Sequence, residues 1–171
     1  MATANDLLRH DHVLLGSQTS NGTAVNTTTT RTALFTAITI PARTLSAGDV
    51  IQVFGGVQIG ITGTPTVLFD LGVNGTAVIA TPALTTVAAG GFGLIARGTV
   101  RSIGSSGTIL WSLQCVSPGD IVEVSGVGAT QDTSADTVDT TADITLNWYI
   151  TWGTANASNT ATGYNFWAMQ N

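Results

Sequence analysis

His10 and His12, Cys115, the single glutamate Glu123 and a run of aspartates are nearly all that this 171-residue sequence offers for chemistry. Its five cations are Arg9, Arg31, Arg43, Arg97 and Arg101, and lysine is absent. Without lysine there is no P-loop and no Schiff-base catalysis, since both need an amine. With one cysteine there are no CxxC zinc sites and no dithiol redox chemistry. No G-x-S-x-G elbow occurs. A Ser-His-Asp triad would have to draw its base from the HDH segment at 10–12, which reads as polar N-terminal chain rather than as a rigid element. That segment is read as solvated chain and not as a metal site.

Asp132, Asp136, Asp139 and Asp143 fall close together. Calcium favours several aspartate oxygens in one loop, but this spacing matches no EF-hand. Aspartate and threonine also suit turns and solvated loops, and that reading is preferred. A glycosidase would set two carboxyl groups across a cleft, whereas Glu123 sits on the polar side of an alternating run, IVEVSGV (121–127). The expectation is a protein that is not an enzyme and uses no cofactor or metal. A net charge of −5 gives no electrostatic basis for binding nucleic acid or anionic membranes.

The concentration of aromatics is the remaining signal. The stretch from Asp143 to Trp167, DITLNWYITWGTANASNTATGYNFW, holds three of the four tryptophans and both tyrosines. Alternation puts Ile144, Leu146, Trp148, Ile150 and Trp152 on one face and Thr145, Asn147, Tyr149 and Thr151 on the other. In 163–170 it puts Tyr164, Phe166 and Ala168 together, opposite Asn165, Trp167 and Met169. The first face of 143–152 is core. Tyr149, Tyr164 and Trp167 are left over, and exposed aromatics mark interfaces or ligand platforms. They are candidates for a subunit interface, with a glycan platform completed by the amides of Asn147 and Asn165 as the alternative.

Strands must position these residues. The chain is rich in Thr, Val, Ile and Gly and has few helix formers. A turn of helix near Asn5 to Arg9 is the one helical candidate. Strand-like runs are ALFTAITI (33–40), VIQVFGGVQIGI (50–61), VLFDLGV (67–73), TAVIAT (76–81), FGLIARGTVRSI (92–103), TILWSLQCV (108–116), IVEVSGV (121–127), DITLNWYITW (143–152) and GYNFWAMQ (163–170). Gly55-Gly56 suggests a bulge or bend, Asn74-Gly75 a type I′ hairpin, and GSSG (104–107) a tight turn. ATQDTSADTVDTT (129–141) reads as a polar loop, and Cys115 as a buried structural thiol. The expected fold is all-β: an antiparallel jelly-roll β-sandwich of about eight strands with an N-terminal arm. Residues 1–31 form the arm, with room for one edge strand, and residues 32–171 the sandwich. Charged residues make up 9%, against about a quarter in ordinary domains, so part of the surface is expected to lie against partners. The N-terminus has no apolar signal region, which implies synthesis in a cytoplasm.

TRTALFTAITIPARTLSAGDVIQVFGG (30–56), VLFDLGVNGTAV (67–78), GTVRSIGSSGTI (98–109) and DTTADITLNWYITWGTANASNTATGYNFWA (139–168) follow one another in this order. The series resembles virion proteins of tailed bacteriophages over roughly residues 30 to 168. The resemblance implies a jelly roll, usually trimeric, found as a decoration or cement protein on capsids and at the tips of tail fibres. It implies no catalytic residues. A fibre needs a shaft and an attachment domain, so the expectation is a homotrimeric cement protein. It would sit on the outer surface of a phage head, made in the host cytoplasm, with itself and the major capsid protein as partners. Leu7, Leu8, Arg9, Val13, Leu14 and Leu15 are the candidate capsid contacts of the arm. A receptor- or glycan-binding fibre tip, with a host surface glycan as partner, is the alternative.

Overall fold

The computed structural model describes residues 13–26, 28–117 and 129–171. Every regular element among them is a strand: β1 (Val13–Gln18), β2 (Val25–Asn26), β3 (Thr32–Ala33), β4 (Ile38–Ile40), β5 (Val50–Gly60), β6 (Thr66–Val73), β7 (Thr76–Ala80), β8 (Leu84–Thr85), β9 (Gly90–Ser102), β10 (Gly107–Val116), β11 (Ala129–Gln131), β12 (Asp136–Val138), β13 (Ile144–Trp152) and β14 (Thr160–Gln170). They form two antiparallel sheets packed face to face. The large sheet runs β1-β14-β5-β9-β10-β11, with β2 also on β14 and β12 also on β10. The small sheet runs β3-β13-β6-β7, with β4 also on β13 and β8 also on β6. The helix candidate near Asn5 and the run at 121–127 lie outside the described residues.

The core forms because alternation holds on both sides. On β13, Ile144, Leu146, Trp148, Ile150 and Trp152 are all buried, as their spacing predicts. They face Ile51, Val53, Val57 and Ile59 of β5, and Val67, Phe69, Leu71 and Val73 of β6 join them in the same core. Trp111, Trp148 and Trp152 are fully buried. Truncating one such side chain to alanine costs about 3–5 kcal/mol, because a cavity is left in place of its contacts. Cys115 is also buried, and burial pushes its thiol up to about 12. At neutral pH it is therefore an inert apolar group.

Rings this large need room, and glycines supply it. A Cβ on Gly55 would lie 2.7 Å from the Trp148 ring, and one on Gly98 would lie 2.6 Å from the Trp111 ring. Gly55 and Gly56 therefore do not mark a bulge in β5, which pairs in unbroken register with β9. The bulge is on the partner strand β14, between Gly163 and Asn165. It makes Tyr164 the extra residue, so Tyr164 points outward while Phe166 and Ala168 point into the core. Strict alternation, which grouped these three, fails at that step.

The Asn74-Gly75 hairpin is as expected. Asn74 (φ 51) and Gly75 (φ 80) both adopt the left-handed conformation that a type I′ turn requires. The tip is anchored to β13, since Asn74 Oδ1 accepts the Thr145 N–H at 2.8 Å. The tight turn after β9 also forms, with Gly104 at φ 118 and the Gly107 N–H donating to its carbonyl. Two runs differ from their expected form. Residues 33–40 split into β3 and β4 because the consecutive side chains of Leu34 and Phe35 are both buried, which a regular strand cannot accommodate. The polar 129–141 segment supplies β11 and β12, which pair with β10.

Candidate functional site

The outer face of the large sheet carries an aromatic ridge. Trp167 on β14 lies directly opposite Phe54 on β5, which lies opposite Ile95 on β9. The Phe54 and Trp167 rings stack with centroids 3.8 Å apart and planes 15° apart. All three side chains are partly exposed, as is Met169 beside them, and Tyr164 is 52% exposed. The ridge exists because the β14 bulge shifts the phase of the strand, bringing Asn165, Trp167 and Met169 outward while Phe166 and Ala168 enter the core. Beyond Ile95 the face dips into a hollow of about 180 Å³ lined by Ile95, Arg97, Ser112 and Gln114. Strands β14, β5 and β10 carry no charged residue. Arg97 and Arg101 on β9 make no ion pair with another described residue.

The outer face of the small sheet is closed by its own side chains. Arg31 donates from Nε to both Asp70 oxygens at 3.0 Å and from a terminal nitrogen to Oδ1 at 2.6 Å. Its other terminal nitrogen donates to the Gly75 carbonyl at 2.6 Å. Its guanidinium lies 3.5 Å above the centroid of the Tyr149 ring. Asp70 is 2% exposed, so this cation is what makes its burial tolerable. The bond to Asp70 raises the arginine pKa further, so Arg31 keeps its charge. Tyr149 is thus a shelf for Arg31, on the opposite side of the sandwich from Tyr164 and Trp167. The three candidate aromatics do not form one surface.

Asp132 and Asp136 close the β11–β12 edge. One oxygen of each is buried without a hydrogen-bond partner. Asp136 lies opposite the buried Ile109, so it points toward the core edge. Burial raises both pKa values, and the charge of Asp132 raises that of Asp136 further. Asp139 is partly exposed, and bonds from the Thr141 hydroxyl and N–H lower its pKa. Asp143 accepts the Ala42 N–H at 2.8 Å, tying the chain after β4 to the start of β13. Among the described residues no group of three His, Cys, Asp or Glu is placed to hold a metal ion.

Of the candidate arm contacts, Leu7, Leu8 and Arg9 lie outside the described residues, as do His10 and His12. Val13, Leu14 and Leu15 belong to β1, the strand that pairs with β14 at the edge of the large sheet. Val13 and Leu14 are exposed, whereas Leu15 packs against the core. Phe54 was not among the candidates, although it completes the ridge. Its position opposite Trp167 depends on strand register, which local alternation does not carry. No protein-family model and no curated protein matches the chain.

Proposed function

We propose that this chain is a viral structural protein, a homotrimeric jelly-roll decoration protein that binds the outer surface of a phage head and stabilises it. The observation that carries the reading is the outer face of the large sheet. It is a partly exposed aromatic ridge whose Phe54 and Trp167 stand on the uncharged strands β5 and β14, in a chain with very few charges to keep a bare surface in water. The strand order supports the jelly roll. The chain crosses between sheets from β2 to β3, β4 to β5, β5 to β6, β8 to β9, β12 to β13 and β13 to β14, and β5 and β6 each pair with one of the last two strands, β14 and β13. Winding early strands against late ones in two sheets is how jelly rolls are built. The order of sequence motifs that resembles phage virion proteins supports the location.

Stabilisation by such a protein is passive. Contact with the assembled shell and not with free capsid subunits shifts the equilibrium toward the shell. Three copies in one particle add avidity to modest individual contacts. The test is co-sedimentation of purified protein with phage heads that lack it, followed by heating of the decorated heads. Saturable binding and a higher temperature of genome release are expected. Removing residues 1–12 leaves β1 in place and is expected to abolish occupancy without changing the number of chains per particle. Failure to bind heads, together with binding to host cells or glycans that Trp167→Ala removes, would instead favour the fibre-tip alternative.

A further inference from the structure

We infer that the outer face of the large sheet is the contact between copies of this chain, built so that the ridge of one copy enters the hollow of the next. The inference rests on the homotrimer reading above and says which surface makes the trimer. Ridge and hollow lie side by side on one face: Phe54 and Trp167 protrude from β5 and β14, and Ile95, Arg97, Ser112 and Gln114 surround the dip between β9 and β10. A surface with its own knob and its own socket, displaced from one another, fits a rotated copy of itself. When the ridge of one copy enters the hollow of a second and its own hollow receives the ridge of a third, the contact is head-to-tail, and it closes into a ring when the rotation between copies is a third of a turn.

Charge follows the same displacement. The strands of the ridge are neutral, and β9 carries Arg97 and Arg101 with no acid. The segment at 129–141, which forms the sheet's far edge, carries Asp132, Asp136 and Asp139 with no cation. A ring that sets one copy's acidic edge toward the next copy's arginines pairs charges that have no ionic partner among the described residues of a single copy. Four strands about 4.8 Å apart and about ten residues long, at about 3.3 Å per residue, present about 600 Å² of flat face. A head-to-tail ring divides that face between two neighbours, so each contact is small and the ring holds through three of them together. The small sheet offers no equivalent, because Arg31 and Tyr149 already cover each other there.

The experiment has two arms. In the first, the mass of the wild-type chain is measured by light scattering beside Ile95→Asp, on this face, and Thr39→Lys, at an exposed position of β4 in the small sheet. Wild type and Thr39→Lys are expected at about three times the 17.5 kDa chain mass, and Ile95→Asp at a third of that. The second arm needs no variant. Trp111, Trp148 and Trp152 are fully buried, so Trp167 is the tryptophan that acrylamide reaches in a single copy. Quenching should be weak in concentrated protein and rise on dilution as copies separate. A wild-type mass of one chain would overturn the homotrimer reading and this inference together. An oligomer that survives Ile95→Asp, or whose Trp167 is quenched equally at every concentration, would overturn this inference and leave the homotrimer reading standing.

Discussion

Two groups of ionisable side chains act on this fold with opposite signs. The Asp70 carboxylate is buried and compensated by Arg31, which also covers Tyr149. Arg31→Ala removes the compensation and leaves the charge, so a loss of about 3–5 kcal/mol in unfolding free energy is expected by urea titration. A loss below about 1 kcal/mol would mean that water solvates Asp70 more freely than its burial indicates. Asp132 and Asp136 have no such partner among the described residues. A carboxyl group whose pKa is raised by folding binds its proton more tightly in the folded than in the unfolded chain. Its favourable contribution is therefore complete below the ordinary carboxylate pKa and is lost as pH rises through the folded value. At neutral pH the two charges burden the fold. In the Ile95→Asp background, where no second copy faces this edge, Asp136→Asn should then raise the thermal midpoint by a few degrees at pH 7, and the gain should vanish below about pH 4, where the carboxyl is itself protonated. Equal midpoints for the two proteins at pH 7 would show that the Asp136 charge is solvated.

At the scale of strands, the turn at Asn74-Gly75 makes the clearest demand on residue type. Gly75→Ala places a side chain in the left-handed region and should cost about 1–2 kcal/mol, read as a shift in denaturant midpoint without a change in slope. Gly98→Val should cost more, because the Trp111 ring occupies the space its side chain needs. Such features show what the sequence alone can convey. The type I′ turn was legible because two adjacent residues specify it. The buried face of β13 was legible because its alternation runs without interruption from Ile144 to Trp152. The glycine pair in β5 does not show its cause in the sequence, because the groups beside it, the Trp148 indole at Gly55 and the Asn165 side chain at Gly56, are about a hundred residues away. Tyr164 is exposed, as a candidate interface aromatic should be, but alternation groups it with the buried Phe166 and Ala168 because a bulge shifts the phase by one residue, and residue types alone do not mark where the shift falls. The split at Leu34-Phe35 has the same origin: tertiary contacts, including the bond from the Asn147 amide to the Phe35 carbonyl at 2.7 Å, hold a bend in a run that looks like one strand. The aromatic site was accordingly half legible, with Trp167 named and its partner Phe54 missed.

For the molecule as a whole, the proposed ring has a thermodynamic signature that needs neither a head nor a host cell. If the folded state is a trimer and the unfolded state a single chain, mass action makes unfolding depend on protein concentration. For three chains, a hundredfold dilution lowers stability by about 2 kcal/mol per chain, or roughly 4–8 °C in thermal midpoint for a domain of this size. The wild-type chain should show this dependence. Ile95→Asp should keep a β-sheet circular dichroism spectrum and lose the dependence, because its folded state is already a single chain. Added salt should lower the wild-type midpoint further in dilute samples, since it screens attraction between the acidic edge and Arg97 and Arg101. A midpoint independent of concentration in the wild type would mean that the Phe54–Trp167 ridge is exposed in the working protein. A stacked, partly exposed aromatic pair on two uncharged strands would then have to be explained by a foreign ligand, and the carbohydrate reading would gain what the self-association reading lost.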